Sequence, residues 1–268
     1  MRTLKIDDRV YFKSEILDKV SGVSHAFTSR LGGYSRGKIE GLNLGFRVGD
    51  STDAVVKNYN QVSDDLGFKF ENITAAKQIH SDDIRVVTEE EKGCGVARLD
   101  NTFEADGLIT NCKNIPITVF YADCVPILLC ESDAGVIAAI HSGWRGTVLQ
   151  IVGKAVEMMC KEFGADPKKI KVAIGPSIGK CCFETGAEVA AQFNNSLVTE
   201  EENGKFKVDL WEANRQILLA EGVKPANIDI LKLCTICHSD VLYSYRTHGE
   251  NTGRMGAFIM LEDERRKL

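Results

Sequence analysis

No run of apolar residues in this 268-residue chain approaches the roughly 20 needed to cross a bilayer as a helix, and the N-terminus carries no signal-peptide apolar core. A membrane role is not expected, and the chain is read as cytoplasmic. Lysine and arginine form no block, and the formal net charge is −5, so the electrostatic footprint of a nucleic-acid binder is missing. Proline is scarce, and no repeat, low-complexity tract or Pro/Gly/Ser linker divides the chain. One domain over residues 1–268 is therefore the expected organisation. An apolar fraction of 44% with 26% charged residues argues against long disorder. The single charge run, at 262–267, reads as a solvated tail.

Cysteine, by contrast, is abundant. Nine cysteines, an odd number at irregular spacing, do not form the pattern of a disulfide framework, and a reducing compartment is the simpler setting. Cys130 and Cys160 fall inside apolar patterns and are expected to pack as small hydrophobes. Cys234-Thr235-Ile236-Cys237-His238 contains the short haem-attachment string, but that chemistry requires export, for which there is no signal. As a bare CxxC it is a redox pair or half of a zinc site in one reading. In the plainer reading, preferred here, it is two packed structural thiols. The adjacent Cys181 and Cys182 cannot face the same way along a strand, so one is expected to pack and the other to line a cavity.

Helical periodicity is clearest over 53–66, where Val55, Val56, Tyr59, Val62 and Leu66 share a face before Gly67. It recurs over 147–163, with Gly164 as the expected C-terminal stop, and over 210–220, after Asp209 as N-cap. Short apolar runs at 117–120, 125–130, 136–140, 171–174, 228–233 and 257–261 read as strands. Strands and helices interleave without strict alternation. The expected fold class is α/β, a single domain of mixed β-sheets with helices packed outside.

Three segments place a metal-binding or nucleophilic side chain beside a turn. They are the segments around His80, Cys124 and His141. Two imidazoles and a thiol suit zinc or copper, and three protein ligands leave a coordination position for water or substrate. None of the three is paired at zinc-finger spacing, and a lone histidine is more often a hydrogen-bonded structural residue. A rival reading uses Cys124 as a thiolate nucleophile and His141 as its base. Asp123 beside the thiol is expected to raise its pKa, which favours a metal. Cys124 falls in a turn, with Pro126 expected to limit ladder pairing, and His141 ends a strand. Arg145 and the helix start after Gly146 then suit a phosphate or carboxylate.

The glycine-rich stretch from Thr28 to Gly45 lacks both the phosphate-loop ending and a dinucleotide fingerprint. Arg30 is a candidate anion clamp there, and Asn43 a candidate amide for a polar ligand. The bland alternative is a pair of turns whose side chains satisfy backbone groups. His248, in the loop before the last strand, is read as solvated rather than as a ligand.

Taken together, the strings Thr-Ser-Arg-Leu-Gly-Gly-Tyr-Ser, Asn-Leu-Gly, Lys-Gln-Ile-His, Ala-Asp-Cys-Val-Pro, His-Ser-Gly-Trp-Arg-Gly-Thr, Gly-Pro-Ser-Ile-Gly-Lys-Cys-Cys-Phe-Glu and Thr-Gly-Arg-Met resemble the YfiH family, also called the multicopper polyphenol-oxidase or laccase-domain family. The resemblance covers nearly the whole chain. It implies a layered α/β sandwich and a zinc site carried onto His80, Cys124 and His141. The implied activity is phosphorolysis of adenosine, inosine and methylthioadenosine with inorganic phosphate, with adenosine deamination as a side activity. Under this resemblance Arg30 and Arg145 are the expected anion ligands, Asn43 and Gln78 the ligands of sugar or base, and Asp123 the acid–base carboxylate. Where the family pattern continues Tyr-Arg-Arg-Asp, this chain has Tyr245-Arg246-Thr247-His248. The zinc deaminase signature His-x-Glu with Pro-Cys-x-x-Cys is absent, so deamination here would use a different scaffold. Two alternatives stand beside this reading. One is a cysteine-type amide hydrolase acting on a cell-wall precursor peptide. The other is a copper-dependent polyphenol oxidase.

Overall fold

Residues 1–263 are described in a computed structural model. The chain begins with β1 (Arg2–Ile6), β2 (Arg9–Lys13) and β3 (Val23–Thr28), and α1 (Thr52–Leu66) then leads to the short β4 (Thr74–Ala75) and β5 (Ile84–Val86). The middle supplies β6 (Gly107–Thr110), β7 (Ile117–Tyr121), β8 (Val125–Glu131), β9 (Val136–Ser142), α2 (Trp144–Val148), α3 (Ile151–Phe163) and β10 (Lys171–Ile174). The last part adds β11 (Glu184–Thr185), α4 (Ala187–Ala190), β12 (Val198–Glu200), β13 (Phe206–Val208), α5 (Leu210–Ala220), β14 (Ile228–Ile230), α6 (Tyr245–His248) and β15 (Met255–Leu261).

Two six-stranded mixed sheets, ordered β1-β2-β3-β15-β7-β4 and β14-β10-β8-β9-β6-β5, form the body, and β11-β13-β12 make a small third sheet. Every residue of β8 and β9 is buried, so these strands read as continuous apolar runs rather than alternating ones. Alternation along the pleat still decides which neighbour each side chain meets. Leu128, Cys130, Ile137 and Ala139 pack against Val119, Ala257 and Ile259 of the other sheet. Ile127, Leu129, Ala138 and Ile140 instead pack against Val152, Ala155 and Met159 of α3 and Leu218 of α5. Beyond the first sheet, Tyr11, Ala26 and Phe258 meet Val55, Tyr59 and Val62 of α1. The result is four layers, helix on sheet on sheet on helix. Each valine, leucine, isoleucine, phenylalanine or methionine among these that is fully withdrawn from water contributes about 1.5–3 kcal/mol.

The helix at 53–66 lies within α1, which ends on Gly67 in the left-handed region (φ 71°), and Asp209 caps α5 by accepting the Glu212 N–H at 2.9 Å. The expected single helix over 147–163 is two. It starts at Trp144 and breaks at Gln150, whose φ of 60° turns the axis. The cause is a buried network holding its first turn against α5. In it Ser142 Oγ and Thr147 Oγ1 lie 3.0 Å apart, and the Asn214 amide bonds both. The helix amides left free therefore belong to the turn at Gly143, not to residues after Gly146. Pro126 does not end the ladder either. It is paired with His141 inside β8–β9, and its carbonyl accepts the Gly175 N–H where β10 has stopped, so its missing donor falls beyond that strand. The strand expected over 228–233 ends at Ile230. Most of the 262–267 charge run lies outside the described residues.

His25 on β3 carries a stability prediction. It is fully buried, its Nε2 accepts the Ser14 N–H at 2.9 Å, and its Nδ1 makes no hydrogen bond, the Asp18 carboxylate standing 3.9 Å away. Burial, with Lys13 adding and Asp18 opposing, lowers its pKa to about 4. The unfolded chain therefore takes the proton first, and stability is lost as pH falls from about 6.5 towards 4, by on the order of 3 kcal/mol. Urea midpoints at both ends of that window should show the loss. His25→Gln, which keeps an acceptor for Ser14, should flatten it.

Candidate active site

His80 lies in the loop between β4 and β5 with a left-handed backbone, φ 60°, a conformation costing a non-glycine residue roughly 1–2 kcal/mol. What holds it there is the carboxylate of Asp106, one residue before β6. That side chain accepts the backbone N–H groups of Ile79 (3.1 Å), His80 (3.0 Å) and Ser81 (2.7 Å), and the Ser81 hydroxyl (3.0 Å). The same carboxylate lies 2.8 Å from His141 Nδ1, and its own backbone carbonyl accepts the His141 N–H at 2.7 Å. One buried aspartate thus sets both imidazoles, leaving His141 Nε2 to face the third member. Burial works against its charge, but His141 and Ser81 outweigh it and hold the Asp106 pKa down to about 2.

That third member, Cys124, follows Asp123 in the turn between β7 and β8, where Asp123 has a φ of 97°. Cys124 Sγ is 3.9 Å from His80 Nε2, and the two imidazole rings meet edge-on with centroids 5.0 Å apart. The ligand atoms of His80, Cys124 and His141 all lie within 4.8 Å of one another. Gly143 makes the approach feasible, because a Cβ there would sit 3.2 Å from Cys124 Sγ and 3.4 Å from His80 Cδ2. Burial opposes ionisation of Cys124, yet His141 and His80 bring its pKa down to about 6. Burial also opposes charge on His141, and Cys124 and Asp106 override it, raising that pKa to about 9. The expectation that Asp123 raises the thiol pKa fails for a geometric reason. Its carboxylate turns away, accepting the Thr235 hydroxyl at 2.5 Å and the Arg246 N–H at 2.6 Å. Two imidazoles and a ready thiolate fit a borderline-soft divalent ion, with a tetrahedral position to spare.

The cluster opens into a cavity of about 650 Å³. Its walls carry the aromatic side chains Phe46, Phe120, Tyr121, Trp144, Phe183 and Tyr245, together with Arg47, Arg145, Arg246 and Arg254. Arg145 is exposed and stacks over Trp144 at 4.4 Å, and Arg254, lowered in pKa by burial, lies over Tyr245 at 5.7 Å. Two expected ligand contacts do not fit their placement. Arg30 is outside the lining, stacked on Tyr243 and donating to the carbonyls of Ser239 and Glu40. Asn43 is fully buried and staples its own loop. Its amide donates to Gly45 and Asp50, and its oxygen accepts the N–H groups of Gly45 and Arg254. Gln78 lines the cavity but spends its amide on the backbone N–H and carbonyl of Phe120. Tyr245 and Arg246 face the cavity, whereas exposed His248 does not line it and reaches the Ser244 carbonyl.

Asp106 was not singled out from sequence. An aspartate followed by glycine before an apolar run reads as a turn residue, and nothing local ties it to His80 or His141. Arg47 and Arg254 likewise sit in loops that the fold alone brings to the cavity.

Residues 24–262 match the family described as multi-copper polyphenol oxidoreductase laccase. The chain belongs to this family. It is 34% identical over 252 residues to the purine nucleoside phosphorylase YlmD of Geobacillus stearothermophilus, covering 91% of this chain and 92% of that one. It is 36% identical over 250 residues to the adenosine deaminase RL5 of an unknown prokaryotic organism, covering 90% and 95%. The crystal structure of the Bacillus licheniformis hypothetical protein YfiH superposes with a TM-score of 0.90 at 30% identity, covering 96% of this chain and 97% of that chain. The α/β architecture expected from the sequence is therefore the fold of the laccase-domain family. Among the described residues, no helix is long and apolar enough to cross a membrane.

Proposed function

We propose that this laccase-domain chain is a zinc-dependent purine nucleoside phosphorylase, with zinc held by His80, Cys124 and His141. Its substrates are inorganic phosphate and adenosine, inosine or S-methyl-5′-thioadenosine, with adenosine deamination as a side activity. One observation carries the reading. The two-imidazole, one-thiolate cluster shares a single cavity with several arginines and a set of aromatic rings. The names of the relatives point the same way. Bound zinc supplies Lewis acidity and a water of lowered pKa.

The protein's own groups divide the remaining work. Arg145, Arg246 and Arg254 present guanidinium donors to the phosphate, and the aromatic walls hold the flat purine. In the step itself a phosphate oxygen bonds to the anomeric carbon as the C–N bond breaks, and the purine leaves with the electron pair. Holding both partners in one cavity converts an encounter into an oriented event. Asp123 and Gln78 act as positioning residues, because their polar atoms are committed to Thr235, Arg246 and Phe120. The roles first expected of Arg30 and Asn43 pass to the cavity arginines. The deciding experiment is release of hypoxanthine from inosine with and without phosphate, with ribose 1-phosphate formed in equal amount. Equal release in its absence rules out phosphorolysis. Arg145→Ala, which removes a charged donor with no other polar bond assigned to it, should raise the KM for phosphate by about 10- to 100-fold. Melting should be nearly unchanged. An unaltered phosphate KM would remove Arg145 from the anion site.

A second reading has one observation behind it. Cys124, His141 and Asp106 also form a thiolate–imidazole–carboxylate line of the kind amide hydrolases use. Metal-free protein that is alkylated at Cys124 and still cleaves a cell-wall precursor peptide before alkylation would favour it. A multicopper oxidase is disfavoured because, among the described residues, only His80 and His141 of the five histidines line the cavity.

A further inference from the structure

A second group of thiols stands outside this chemistry. The segment after β10 and the segment after β14 run side by side. They are joined by the Ser177 N–H to the Leu233 carbonyl (3.0 Å) and the Thr235 N–H to the Ser177 carbonyl (3.1 Å). Together they gather Cys181, Cys182, Cys234 and Cys237, whose four Sγ atoms all lie within 4.8 Å of one another. Cys237 Sγ is 3.6 Å from Cys181 Sγ and 3.5 Å from Cys182 Sγ. The expectation that the adjacent cysteines face opposite ways does not hold, because they are not in a strand. They occupy a turn in which the Cys182 and Phe183 N–H groups both donate to the Gly179 carbonyl at 2.9 Å, and β11 starts only at Glu184. Glycine at 179 keeps the space, since a Cβ there would lie 3.2 Å from Cys181 Sγ and 3.4 Å from the Cys234 Cβ.

Four free thiols at this spacing need an explanation. A disulfide would bring a pair to about 2.05 Å, and all four are unbonded. Packing as hydrophobes does not account for Cys181 and Cys237, which are exposed. Thiolates about 2.3 Å from one tetrahedral zinc ion lie about 3.8 Å from each other, close to the separations seen here. The Cys234–Cys237 pair has the two-residue spacing of a zinc-binding half-site.

The geometry points to a tetrathiolate site for one structural zinc ion at Cys181, Cys182, Cys234 and Cys237, separate from the His80–Cys124–His141 cluster. Four protein ligands close such a site, so its task is to fix chain segments rather than to meet substrate. The segments it fixes reach the cavity. Thr235, between two of the ligands, donates to the Asp123 carboxylate, and the Ile178 N–H donates to the Asp123 carbonyl at 2.8 Å. Ile178 and Phe183 are themselves cavity wall. The ion would brace that wall and the turn bearing Cys124 from behind.

The test is metal counting by elemental analysis on the full chain, purified under reducing conditions from zinc-supplemented cells. The Cys124→Ala, His141→Ala chain, which lacks the cavity ligands, should retain about one zinc per chain, and adding Cys182→Ala and Cys237→Ala should take it to zero. Zinc absent from the first variant, or unchanged in the second, overturns the proposal whatever becomes of phosphorolysis. Should the fourfold variant fail to fold, the unaltered chain decides. Cys181 and Cys237, mapped by mass spectrometry, should resist alkylation until a chelator is added. Equal alkylation before and after chelation, or a disulfide among the four, overturns it too.

Discussion

Cys124→Ala is expected to lower kcat/KM for inosine phosphorolysis by about three orders of magnitude and to strip metal from the cavity. A metal-derived Lewis acid contributes several kcal/mol to transition-state stabilisation, and about 4 kcal/mol corresponds to about 10³-fold. Cys124 is the only anionic donor of its trio, so the remaining two imidazoles hold a divalent ion far more weakly. Its side chain is half-buried and makes no backbone bond, but it is the charge partner that raises the His141 pKa, so the metal-free chain should also melt somewhat lower. The pH dependence of metal uptake follows with a definite sign. In the metal-free protein each charge supports the other, lowering the Cys124 pKa and raising that of His141, so the thiol tends to ionise while His141 holds its proton. Zinc must displace the His141 proton, so its apparent affinity should rise with pH until His141 is deprotonated and then level off. Chelator-competition titrations at several pH values measure this slope. A flat profile would mean that His141 is not a ligand.

Asp106→Asn is the next largest. The substitution keeps the shape but removes the charge that accepts four donors around His80 and Ser81 and faces His141 Nδ1. Loss of such a carboxylate behind a metal-ligating histidine typically costs 10–100-fold in metal affinity or activity, and that range is expected here. A buried charge pair broken from one side is also destabilising, by about 3–5 kcal/mol, and this should appear in denaturant midpoints of the metal-free protein. Asp123→Asn offers the contrast. Its carboxylate bonds Thr235 and the Arg246 N–H rather than an imidazole, so zinc affinity should be kept while the cavity wall loosens and the nucleoside KM rises. Equal zinc affinities in wild type and Asp106→Asn would refute the positioning role.

Much of the layered architecture was legible because burial imposes a period. The apolar faces of α1 and α5 and the continuous runs of β8, β9 and β10 are local statements about which side chains leave water. The break at Gln150 was not legible. It depends on Ser142, Thr147 and Asn214 meeting across 72 positions of sequence. The N-terminal strands β1 to β3 were not legible, being short, and in β1 largely exposed, so that no pattern shows before β2 and β15 pair with their neighbours.

At the candidate site the division is sharper. Residue chemistry alone nominated two imidazoles and a thiol, because few side chains can bind a soft cation or act as nucleophiles, and each stood beside a turn. Only the tertiary structure decided which other polar groups stand with them. Asp106 was invisible because its partners come from 25 to 35 residues away, and Arg30 and Asn43 misled because a glycine-rich loop looks the same whether it holds a ligand or holds itself together. The physical reason is the reach of the forces involved. Hydrophobic periodicity is written in neighbours along the chain, whereas a hydrogen bond or a shared ion is satisfied within about 3 Å by whatever the fold brings there.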